Sequence, residues 1–251
     1  MAFKNPYDSH DHSLQILELL YTYDSFLDSL SVIADFGCGT GLDVEWWAAL
    51  ETRDDPPEPR DFLVFAIDQD TSKFDESIAE RSNVKVIQGD FEQERVISRN
   101  CDLLWCHDAF QYAVNPLQTL KYWNMQMNVN GMLVLSFPQN IHYQYNRLNN
   151  YSYNGTYYNH NIVSLMYMLA VNGFDCKDAY FYRNPNDPWL YAAVYKSTIS
   201  PMDPKTTSWF DLIDANLVND SVAQSMDRYG HIRQEDLLTI WLDRDFYRMR
   251  E

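Results

Sequence analysis

Val32-Ile33-Ala34-Asp35-Phe36-Gly37-Cys38-Gly39-Thr40-Gly41 is the stretch from which the rest of the chain is read. An apolar strand runs into a turn with glycine at every second position, and helix-forming residues follow at 41–50. The glycines allow positive φ and let a ligand lie against the backbone without meeting a Cβ. Amides at the start of the following helix face the same ligand. Asp35, two residues before the first glycine, sets a carboxylate beside the turn and so disfavours a phosphate there.

Working outward, short apolar runs alternate with helical stretches. Strands are expected at 31–36, 62–67, 84–87, 102–106 and 132–137, with helices at 41–50, 72–81 and from Pro116 to about Met127. Asn130-Gly131 reads as the turn before the fifth strand. This alternation indicates a parallel sheet covered on both faces. A helix at 161–171 ends at Asn172-Gly173, and two further strands, 174–182 and 189–196, flank a short loop that favours an antiparallel hairpin. The expected organisation has three parts: a helical cover over 1–30, a ligand-binding domain over 31–199 and a helical appendage over 200–251. The appendage carries helices at 207–218 and 233–249, a route to self-association. Residues 139–161, rich in Tyr and Asn, form an insert suited to closing over a substrate.

Composition narrows the function. The formal charge of −17 over 251 residues repels phosphate backbones and anionic membranes, so a nucleic-acid substrate is disfavoured. The four cysteines lack the paired spacing of zinc or disulfide frameworks and read as free thiols in a cytoplasmic protein. No apolar run approaches the length that spans a bilayer. Ser9-His10-Asp11-His12 has no second ligand pair and reads as a helix entry, not a metal site.

In a parallel sheet the ligand sits at the carboxyl ends of the strands. There the chain offers the glycine turn, Asp68-Gln69 after the second strand, Asp90-Phe91 after the third and His107-Asp108 after the fourth. A carboxylate after the second strand can accept both hydroxyls of a ribose. Asp90 can accept from an exocyclic amine while Phe91 packs an aromatic base. These groups describe a nucleoside, and Asp35 favours one that carries positive charge.

The ordered set resembles the class I S-adenosylmethionine-dependent methyltransferases. It comprises Asp35-Phe36-Gly37-Cys38-Gly39-Thr40-Gly41, Asp68, Gly89-Asp90-Phe91 and Cys101-Asp102-Leu103-Leu104-Trp105-Cys106-His107-Asp108, and the resemblance covers about 32–196. It implies an α/β, Rossmann-like, seven-stranded and mostly parallel sheet with helices on both faces and a terminal antiparallel hairpin strand. It also implies S-adenosylmethionine as cofactor and S-adenosylhomocysteine as product. On that reading Asp35, Gly37, Cys38 and Gly39 lie along the methionine portion. Asp68 and Gln69 hold the ribose, Asp90 and Phe91 bind the adenine, and His107 lies near the sulfonium. Asp35 either contacts the amino group or orients the turn.

Asp108 and Tyr112 face the space for a methyl acceptor, and Tyr143 reaches it from the insert. His107 and Asp108 are the candidates for orienting or deprotonating that acceptor. Aromatic faces beside Asp108 suit a cationic amine. The leading expectation is methyl transfer to a small-molecule nitrogen or oxygen. A protein or tRNA acceptor is an alternative, as is a catalytically silent cofactor-binding subunit. A nicotinamide dehydrogenase is disfavoured, because the Gly37-x-Gly39-x-Gly41 spacing departs from the dinucleotide turn and Asp35 opposes a pyrophosphate.

Overall fold

A computed structural model describes residues 27–52, 56–138, 160–183 and 189–232. The strands are β1 (Val32–Phe36), β2 (Leu63–Asp68), β3 (Val84–Gln88), β4 (Cys101–His107), β5 (Met127–Pro138), β6 (Phe174–Arg183) and β7 (Trp189–Lys196). They form one sheet in the order β3-β2-β1-β4-β5-β7-β6. The first five are parallel, and β7 runs antiparallel between β5 and β6. The order reverses direction between β1 and β4, which opens a crevice at the carboxyl ends of those strands.

Alternation along the strands assigns side chains to the two faces. Ile33, Val64, Leu103, Trp105, Val134 and Trp189 bury against Val44 and Trp47 of α1 (Leu42–Ala48) and Ile78 of α2 (Glu76–Ala79). Ala34, Phe36, Leu104, Leu133 and Leu135 bury against Leu120 and Trp123 of α3 (Pro116–Met125) and the apolar length of α4 (Ile162–Val171). Leu27 and Leu30, at the end of the expected N-terminal cover, join the α1 face.

Two local expectations are corrected. The helix expected over 72–81 is broken into a 3-10 turn, Thr71–Lys73, and the single turn α2. Asp70 and Asp75 each accept from the backbone N–H two residues on, at Ser72 and Ser77, and these local bonds compete with a continuous helix. Between them Phe74 turns inward against Gly41, where an added Cβ would lie 2.7 Å from the ring. β5 begins at Met127, five residues earlier than expected. Met127 pairs with Cys101 and Met132 with Leu103, so residues 128–131 bulge out, with Asn130 left-handed at φ 65.

The tail also differs from its expected form. Helix α5 spans Trp209–Asp214, shorter than 207–218, and α6 (Ser221–Tyr229) was not expected. The buried residues of α6 are Ser221, Val222 and Ser225, of which only Val222 is apolar. The described tail covers the domain. Leu212, Leu217, Val218 and Val222 enter the α4-side core, and Tyr167 of α4 donates to the Thr207 carbonyl at 2.7 Å. The helix expected at 233–249, its proposed self-association, the 139–159 part of the insert and Ser9–His12 lie outside the described residues.

Candidate active site

The glycine turn is anchored to its neighbour strand before any ligand is considered. The amides of Gly37 and Cys38 both donate to the Ile67 carbonyl, at 2.8 and 3.1 Å, and Gly41 N donates to Cys38 O at 2.9 Å. Gly39 N donates to the Asp68 carboxylate at 2.9 Å. These turn amides are held by protein acceptors, so what the turn offers a ligand is a bare surface and a set of carboxylates. Gly37, Gly39 and Gly41 all have positive φ. A Cβ on Gly37 would meet the Ala109 Cβ at 2.2 Å, whereas one on Gly39 would meet nothing within 4 Å. Gly37 is required by packing; Gly39 borders open space.

Asp35 is 2% exposed and its Oδ2 has no hydrogen-bond partner among the described residues. Burial, reinforced by the nearby carboxylates of Asp43 and Asp68, pushes its carboxyl well above the ordinary range. Asp43, which sequence reasoning missed, accepts from Trp105 Nε1 at 2.9 Å and is itself buried. The clue was a second carboxylate in the first turn of α1, but no spacing rule connects it to Trp105. Three carboxylates therefore converge on the turn, and the most buried of them keeps an unsatisfied oxygen. That arrangement fits a ligand bearing an ammonium or sulfonium and opposes a diphosphate.

Asp68 carries both bonds that shape the tip of β2: Oδ2 accepts from Gly39 N, and Oδ1 from Asp70 N at 2.9 Å. Each oxygen retains a second lone pair for a hydroxyl. Gln69 beside it is exposed, and its carbonyl accepts from Gln88 Nε2 at 3.2 Å. At the end of β3, Asp90 Oδ1 accepts from Glu92 N at 2.8 Å. Phe91 is a core side chain: it is 7% exposed and its ring packs edge-on against Trp123, with centroids 5.8 Å apart. Cys38 is likewise buried on the α1 face, and burial raises its thiol pKa, so it contributes backbone and packing.

The tip of β4 separates two side chains that the sequence places next to each other. His107 turns to the α1 face, where its Nδ1 hydrogen-bonds the Ser136 hydroxyl and its ring stacks on Trp189 at 5.1 Å and 10°. It forms a packed wall. Asp108 turns the other way, with φ 52 and its N–H donating to Ser136 O at 2.8 Å. Its carboxylate accepts from Gln111 Nε2 at 2.7 Å, and burial pushes its pKa up to about 6. Tyr112 lies within the field of Asp108, which together with burial raises the phenol pKa. Gln111 and Ser136 are further residues that sequence reading missed; Gln111 reaches Asp108 from three positions on along the 3-10 turn, whereas Ser136 becomes legible only once β4 and β5 are in register. Tyr143 lies outside the described residues.

Residues 34–135 match the family model described as a methyltransferase domain. Among curated proteins, malonyl-[acyl-carrier protein] O-methyltransferase 2 of Coxiella burnetii is 30% identical over 146 residues, 55% of each chain. The chain thus spans about half the length of the curated relative it matches. Among solved structures, the N-methyltransferase NodS of Bradyrhizobium japonicum in complex with S-adenosyl-L-homocysteine aligns with TM-score 0.52 at 15% identity. That match covers 77% of this chain and 89% of that one. Magnesium protoporphyrin IX methyltransferase from Synechocystis, with the same product bound, aligns with TM-score 0.54 at 16% identity, over 75% and 84%.

Proposed function

We propose that the chain is an S-adenosylmethionine-dependent methyltransferase acting on a small-molecule nitrogen or oxygen acceptor beside Asp108, a reading supported by the match of residues 34–135 to a methyltransferase domain. The observation that carries this reading is the convergence of Asp35, Asp43 and Asp68 on the glycine turn, one strand tip away from a fourth carboxylate.

S-adenosylmethionine, when bound, supplies an electrophilic methyl group on a sulfonium. Asp68 offers its remaining lone pairs to the ribose hydroxyls, and Asp35 offers its unsatisfied oxygen toward the cationic end. Asp90 stands at the adenine side. Asp108, aimed by Gln111, orients the acceptor and takes its proton; near neutral pH a carboxylate of pKa about 6 is a competent acceptor. His107, held between Ser136 and Trp189, walls the site against water.

Nitrogen is favoured over a carboxylate oxygen, because an anionic acceptor would face four carboxylates. The Coxiella relative is named for an O-acceptor on a carrier protein and NodS for N-methylation, so the relatives span both arms. The net charge of −17 supports a small or basic acceptor over tRNA. The described cysteines are all free thiols, which supports a reducing, cytoplasmic setting. Among the described residues no helix is long and apolar enough to cross a membrane.

Incubation with radiolabelled S-adenosylmethionine and fractionated cell extract tests this reading. Label is expected in a small-molecule fraction, and more readily in amines than in carboxylic acids. Transfer into RNA or protein, with none into metabolites, would overturn it, and binding without any transfer would make the chain a silent subunit.

A further inference from the structure

Glu92 lies two residues beyond Asp90, outside the shared motifs, and it joins two regions that the proposed reaction needs to act together. Its own N–H is held by Asp90 Oδ1 at 2.8 Å. Its carboxylate then reaches across to the segment that follows β4. Oε1 accepts from Val114 N at 2.8 Å, while Oε2 accepts from Asn115 N at 3.2 Å and from the Thr119 hydroxyl at 3.0 Å. Asn115 is the N-cap of α3, so the carboxylate also meets the favourable end of that helix.

A second tie runs in parallel. Trp123 of α3 donates from Nε1 to the Phe91 carbonyl at 2.8 Å, and its ring packs against both Phe91 and Phe110. Phe110 belongs to the 3-10 turn Phe110–Tyr112, which is capped by Ala109, the residue after Asp108, and contains Gln111. The adenine end of the cofactor site and the acceptor loop over 108–115 are thus bridged by a hydrogen-bonded relay, Asp90 to Glu92 to Val114, Asn115 and Thr119.

We infer that Glu92 is a positioning residue through which occupancy at Asp90 orders the acceptor loop, so that cofactor and acceptor bind cooperatively. The inference rests on the proposed placement of adenine at Asp90 and acceptor at Asp108. A helix-capping role alone would stabilise α3 without making its order depend on the cofactor. Coupling requires a connected element whose state both ligands bias, and this relay is such an element.

Hydrogen exchange read by mass spectrometry on the full chain, with and without S-adenosylhomocysteine, tests it. In the wild type the product is expected to slow exchange both in peptides over 88–93 and in those over 113–119. In Glu92→Gln, which keeps size but loses one carboxylate oxygen, protection of 88–93 should persist while that of 113–119 is lost. The Kd for S-adenosylhomocysteine, read by titration calorimetry, should stay within about twofold of wild type, so that the loss at 113–119 is a loss of coupling and not of binding. Glu94→Gln, an exposed neighbour, is the matched control and should behave as wild type. Should Glu92→Gln melt too early to read, Thr119→Val removes one contact of the relay and should show the same loss in part. Equal protection of 113–119 in wild type and in either variant would overturn the coupling. Absence of protection at 88–93 in the wild type would instead overturn the placement of adenine on which it rests.

Discussion

The Asp68 carboxylate and the Gly39 amide are joined by a 2.9 Å hydrogen bond across 29 positions of sequence. The residue expected to hold the ribose is therefore also the brace of the glycine turn, and the two motifs form one unit. Asp68→Ala removes both the brace and the charged acceptor. Titration calorimetry with S-adenosylhomocysteine should show affinity lower by about 10–100-fold, the size of a lost charge-assisted hydrogen bond or two.

Gly37 and Gly39 separate packing from ligand contact. Gly37→Ala forces a methyl to 2.2 Å from the Ala109 Cβ at φ +84, so it should lower the melting temperature by several degrees. Gly39→Ala meets no protein atom and carries only the left-handed backbone cost of about 1–2 kcal/mol. Gly39→Ala is expected to fold yet bind the cofactor weakly, because its methyl occupies the ligand side. Thermal melts with and without S-adenosylhomocysteine distinguish the two.

Asp35 combines full burial, two neighbouring carboxylates and an unsatisfied oxygen. Its ionised form is a cost to the fold that a cationic ligand offsets. Asp35→Asn should therefore raise the melting temperature of the protein alone by about 2–4 °C and reduce the further rise on adding S-adenosylhomocysteine. A variant that is both less stable alone and unchanged in binding would contradict this account.

Asp108 sets a pH window. Its carboxyl moves from the ordinary 3.8 up to about 6 on folding, so between those values the folded chain holds a proton that the unfolded chain has released. Stability accordingly falls as pH rises through that window, by about 2–3 kcal/mol, and stays reduced above it. Activity should run the other way, climbing as the carboxylate ionises and levelling above about pH 6. Asp108→Asn should flatten both profiles and cut kcat by about 100-fold, as for a lost general base.

The sheet was legible because alternation and glycine punctuation are local signals, and four of the five parallel strands lead into polar groups or the glycine turn, the exception being β5, which ends in Phe137-Pro138. What escaped reading is what tertiary contact decides. The packing of Phe91 against Trp123, 32 positions away, has no local signal in the sequence. His107 and Asp108 looked like a pair, but the left-handed turn at Asp108 sends them to different neighbours. α6 escaped reading although its two faces differ in polarity, because Val222 is the one apolar residue among its buried positions Ser221, Val222 and Ser225. The bulge over 128–131 could not be inferred from Asn130-Gly131, which reads equally well as a tight turn.

A crystal structure with S-adenosylhomocysteine bound addresses the central claim most directly. The ribose hydroxyls should lie on the Asp68 carboxylate, with the adenine beside Asp90 and the amino group on the Asp35 side of Gly39. An empty crevice over β1 and β2 at saturating ligand, or a nucleotide diphosphate bound there instead, would contradict it.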